Sequence, residues 1–81
     1  MDKLSTLHAE SSREEVITAL EQLFTPYATE LINSGADFSY MNMYADNFMQ
    51  ELIQKTSFSE YEIYGILNEV CELCWRNQVN N

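Results

Sequence analysis

Apolar side chains along this chain recur at helical spacing. The first series is Val16, Ile17, Leu20, Leu23, Phe24, Tyr27, Ala28 and Leu31. At 3.6 residues per turn these positions form one stripe about 140° wide, the signature of a helix with one face on a core. The series has a start signal. Ser11 with Glu14, or Ser12 with Glu15, supplies a capping box, in which the hydroxyl accepts from a free N–H and the carboxylate reaches back. Pro26 interrupts the stripe, because its ring removes a donor and crowds the carbonyl four residues back. Yet Leu20, Tyr27 and Leu31 stay in phase across it. The expectation is a helix kinked near Leu23, or two short helices with Thr25 as cap and Pro26 first.

Asn33-Ser34-Gly35 ends this element, with Gly35 suited to the left-handed conformation. A second helix is expected from a cap at Asp37 or Ser39 to near Lys55. Its apolar face is Met41, Tyr44, Ala45, Phe48 and Leu52, with Met49 at the edge. Met43 and Ile53 lie off that face. Ser59 with Glu62 forms another capping box, and Phe58 with Ile63 a hydrophobic staple. The last helix is therefore expected from Ser59 to about Gln78, with Val79-Asn80-Asn81 frayed. Residues 38–44 come closest to a strand, but the helical spacing that continues to Leu52 argues against one. The fold predicted is all-α: a small bundle of three to four helices, the first kinked or broken at Pro26. Residues 1–10 read as a flexible N-terminal arm, in which Leu4 and Leu7 form one apolar turn that can dock. Residues 11–81 read as a single helical domain.

Composition narrows this further. Two glycines and one proline in 81 residues favour few, long elements. At 46% hydrophobic, the chain is too apolar to be disordered. A chain this short still buries only about 60–65% of its unfolded surface, so the core is small.

Charge points to partners. Thirteen acidic residues face four basic ones, a net of −9. Direct binding to nucleic acid or to an anionic membrane is disfavoured, since both need Lys and Arg. A basic protein partner is favoured, and the summed field would speed that encounter. No apolar run is long enough to span a membrane. The N-terminus has no apolar signal region. With two cysteines and no export signal, a reducing cytoplasmic location is expected, which becomes the host-cell interior if a mobile element encodes the chain.

The stretch NEVCELCWRN, residues 68–77, is the one candidate chemical motif. Cys71 and Cys74 fall inside the apolar sector of the last helix, where cysteine behaves as a small hydrophobe. Redox pairs of this spacing sit at a helix N-terminus, whereas these lie near the C-terminal end. Structural zinc needs four ligands, and the chain offers two Cys and His8 alone. Packing is the preferred reading; a metal or redox role for the pair is a minor alternative. No catalytic residue is assigned, because His8 has no nucleophile or orienting group in view. No metal site or cofactor is expected either, and there is no glycine-rich phosphate loop.

Ten aromatics and a cluster of Met41, Met43 and Met49 exceed what so small an interior can hide. Tyr, Trp and Met are enriched in interface cores. The residues singled out for partner contact are Glu62, Glu69 and Glu72 on the polar face of the last helix, with Tyr40, Met43 and Trp75. The expected function is a non-enzymatic acidic module that binds another protein. In its sharper form it is an inhibitor whose carboxylates occupy a basic, nucleic-acid-binding surface. In charge and size the chain resembles the small acidic inhibitors of phages and plasmids, including anti-CRISPR and anti-restriction proteins. The alternative is a structural or regulatory homodimer paired through the wide apolar face of the last helix.

Overall fold

In a computed structural model, which describes residues 4–79, the chain forms four helices: α1 (Arg13–Asn33), α2 (Ser39–Asp46), α3 (Met49–Lys55) and α4 (Glu60–Val79). Met1–Lys3 of the expected arm and Asn80–Asn81 of the expected frayed end lie outside the described residues. Among the described residues there is no strand, so the all-α expectation holds, including over residues 38–44. The long helices α1 and α4 form the main pair, and α2 and α3 pack across α4.

Local chemistry sets the ends. Ser12, not Ser11, caps α1: its Oγ accepts from Glu15 N–H at 3.1 Å, and Ser12 N–H donates to Glu15 Oε1 at 2.9 Å. Ser59 and Glu62 make the same reciprocal pair at the start of α4, at 3.2 and 3.0 Å. Gly35 closes α1 with a φ of 81°. The N–H of Gly35 reaches Ile32 O, and that of Ala36 reaches Leu31 O, so two end carbonyls of the helix are satisfied.

Two expectations need correction. The break at Pro26 does not occur, and no kink is shown there: α1 is one helix with Pro26 inside it. Thr25 does not cap a new helix; its hydroxyl donates back to Glu21 O at 2.7 Å. Pro26 is exposed, so the Gln22 carbonyl left without a helical partner lies on the solvent side. A break would throw Ala28 out of phase with Leu20 and Phe24, all three fully buried. Burying one large side chain contributes about 1.5–3 kcal/mol, enough together to offset the roughly 3 kcal/mol cost of an interior proline.

The second correction concerns the helix expected from residue 37 or 39 to near 55, which is two. The Asn47 and Phe48 N–H groups bond three residues back, to Tyr44 O and Ala45 O, and α3 begins after this tight turn. The turn seats Phe48 in an aromatic cluster. Phe24 lies 5.1 Å from Tyr44 and 5.4 Å from Phe48, and Tyr27 stacks on Tyr44 at 4.0 Å.

The core runs between α1 and α4 and is closed by α2, α3 and the N-terminal turn. Its fully buried members include Leu20, Phe24, Met41, Leu52, Ile63 and Val70. Leu4 and Leu7 belong to it as well. Lys55 Nζ donates to Leu4 O at 3.1 Å, and Ser57 Oγ donates to Ala9 O. Residues 4–10 thus lie against the body.

Candidate interaction surface

The two thiols sit where helical periodicity puts them. Cys71 and Cys74 are buried and free. Cys71 Sγ lies 3.6 Å from Met41 O, while Cys74 Sγ lies 3.5 Å from Thr25 Oγ1. Each sulfur therefore has its own neighbour on a different helix. Burial, aided by the nearby Cys74, Asp46 and Glu72, pushes the Cys71 thiol up to about 11. Burial raises Cys74 too, against a lowering by the Thr25 hydroxyl. Both are protonated at neutral pH, which makes them poor nucleophiles and poor metal ligands. Among the described residues no three His, Cys, Asp or Glu side chains are gathered to hold an ion. His8 is exposed in the N-terminal turn, where its Nδ1 accepts from Glu10 N–H at 3.1 Å.

The acidic residues divide by what they touch. Each cation among the described residues faces a glutamate. Arg13 Nη2 lies 2.9 Å from Glu69 Oε1, Lys55 Nζ 3.0 Å from Glu51 Oε2, and Arg76 Nη2 4.0 Å from Glu72 Oε2. The Arg13 guanidinium also reaches the second Glu69 oxygen, at 3.4 Å, and holds that carboxyl below its usual range. Glu15 and Glu62 are likewise lowered, by the Ser12 and Ser59 groups they cap, and Asp37 by Ser39. That leaves Glu10, Glu14, Glu21, Glu30, Asp46 and Glu60 with no cation in ion-pair range among the described residues.

Of the residues singled out in the sequence, Glu62 is tied to a cap and Glu69 to Arg13 across the α1–α4 pair. Glu72 sits beside Trp75 and Arg76 in a shallow cleft with Phe38 and Val79. Trp75 is half-buried, its ring edge-on to Phe38 with centroids 5.5 Å apart. Tyr40 and Met43 are exposed on α2, three residues apart on its outer side. The structure brings Glu72 and Trp75 together; Glu62 and Glu69 lie on the other flank of α4.

Sequence reasoning missed two features. The Arg13–Glu69 pair joins positions 56 apart, beyond any local pattern. Tyr64 falls within the apolar sector of the last helix by its spacing, yet it stands 60% exposed, and Tyr61 one turn before it 88%. Ile63, between them, is fully buried, so their place in the chain gave no sign of it.

No helix among the described residues is long and apolar enough to cross a membrane. No protein family, curated protein or solved structure matches this chain.

Proposed function

We propose that this chain is a non-enzymatic, acidic helical module that binds a protein bearing a basic surface. In its sharper form it is an inhibitor that occupies a partner's nucleic-acid-binding face, its carboxylates taking the place of phosphates. The observation that carries this is the unbalanced surface charge. The described cations are already engaged by Glu51, Glu69 and Glu72, while six further carboxylates face no cation among the described residues. Such a field draws in a basic partner and repels nucleic acid. The buried thiols add support, since neither is placed to do chemistry on a substrate.

The test uses the acids free of structural duty. The variant Glu10→Gln, Glu14→Gln, Glu21→Gln, Glu30→Gln removes four charges and leaves both capping boxes and the three ion pairs of the described residues. Affinity capture from the native host, at low and at high salt, should retain a basic protein on the wild type. Both salt and the variant should release it, and the wild-type chain should displace nucleic acid from that protein. A captured set indifferent to both salt and the variant would overturn the reading.

A further inference from the structure

Along one side of α4 large apolar side chains stand uncovered, with Asn68 among them, in a chain that is otherwise acidic. Tyr61, Tyr64, Trp75 and Val79 fall within about 60° of one another around the helix axis. They span 18 positions, about 27 Å at the helical rise. Tyr61, Tyr64 and Val79 are more than half exposed. Three shallow clefts follow one another along this side. The first lies between Met49 of α3 and the two tyrosines. In the second, Asn42 and Asp46 of α2 face Tyr64 and Asn68. The third is the Phe38–Trp75–Val79 cleft. Read along α4, the opposing residues descend from 49 to 38, so the α2–α3 limb runs antiparallel to it. The clefts are successive stretches of one seam, and Tyr64 walls both the first and the second. Each also holds a carboxylate: Glu60, Asp46 and Glu72 in turn. Among the described residues the one cation on the seam is Arg76, 4.0 Å from Glu72.

We infer that this seam is the docking face for an amphipathic, basic helix of the partner, which rests on the reading of the chain as a binder of basic protein. Charge selects the occupant. Among the described residues the seam presents three acids to one cation, so lysine or arginine on the flanks of the incoming helix meets opposite charge, while its apolar residues, recurring every three or four positions along one face for about five turns, enter the clefts. Tyrosine and tryptophan faces also attract cations. A second copy of this chain fits poorly. It would set Glu60, Asp46 and Glu72 against the same acids, and bring together two chains of net charge −9 each.

The probe is a capped 18-residue peptide of leucine and lysine patterned as an amphipathic helix, with a control of the same composition that scatters the leucines around the helix. Trp75, the only tryptophan, reports on binding by fluorescence, and calorimetry gives the affinity. The patterned peptide should bind and shift the Trp75 emission. Tyr61→Ala with Tyr64→Ala should weaken it at least about tenfold, with the circular dichroism spectrum retained because both side chains are exposed. Gln22→Ala, exposed on α1 and lining none of the three clefts, should leave the affinity unchanged. Equal binding of the scattered control, or full binding by the tyrosine variant, would overturn the seam; if that binding still falls with salt, the acidic-surface reading stands. Binding indifferent to salt would sink both. A doubling of mass without peptide, abolished by the tyrosine variant, would assign the seam to a second copy and overturn the inference.

Discussion

Gly65 lies on the exposed side of α4, and a methyl group there would meet nothing within 4 Å. Gly35 has equal space but a φ of 81°. The same substitution should therefore act in opposite directions. Gly65→Ala should stabilise by about 0.5–1 kcal/mol by stiffening the unfolded chain. Gly35→Ala should destabilise by about 1–2 kcal/mol, because a Cβ is strained in the left-handed region. Urea unfolding midpoints at unchanged slope check both. Cys71 makes a pH prediction. Its folded pKa of about 11 lies above the ordinary 9.0. A group raised on folding stabilises fully below its unfolded value and loses that contribution as pH rises through the folded one. Stability should fall between pH 9 and 11, and Cys71→Ala should flatten part of that fall; an unchanged profile would refute the assignment. Tyr44, raised by burial and by Tyr27, works in the same direction. At this scale the sequence was legible wherever partners are three or four apart, as for Ser59 with Glu62 and for the Gly35 stop. Arg13 and Glu69 were not, because only the finished α1–α4 pair makes them neighbours.

At the scale of elements, α1 carries a proline that its packing overrides. Pro26→Ala would return an N–H to the ladder and relieve the crowding at Gln22. Removing an interior proline is worth about 3 kcal/mol, less about 1 kcal/mol for the freer unfolded chain, so a gain near 2 kcal/mol is expected. The thermal midpoint checks it; a loss would mean that Pro26 fits α1 without strain. Periodicity found α1 and α4 but misjudged two details for one physical reason. Phase records which residues face the core, not whether the backbone between them is continuous. Leu20, Phe24 and Ala28 stay in phase through a proline, and Tyr44, Phe48 and Leu52 stay in phase across a turn that ends α2. The weak helix formers Asp46 and Asn47 were the available sign of that turn.

For the whole molecule, the net charge of −9 acts on stability as well as on partners. Of its three described ion pairs, Arg13–Glu69 and Arg76–Glu72 are exposed and worth about 0–1 kcal/mol each, and Glu51–Lys55 is half-buried. Repulsion among the remaining carboxylates should outweigh them. Added sodium chloride at neutral pH should therefore raise the thermal midpoint up to about 0.15 M, where the Debye length has shrunk to roughly 8 Å. A fall with salt would show that the ion pairs dominate. Charge and size were readable from composition. The seam was not, since which aromatics stay uncovered depends on how far α2 and α3 reach across α4. Ile66, set at the margin of the apolar sector by its spacing, is 1% exposed, while Tyr61 stands in water.

Leu4 has no exposed surface, and its carbonyl is gripped by the last residue of α3. The amino end thus works as a cork in the socket it closes. Trimming seven residues there would pull two leucines from the interior and leave a greasy hole, so a purification handle belongs at the other terminus. A protease able to nick the chain at Ala9 would turn a well-behaved molecule into a sticky one without touching any helix.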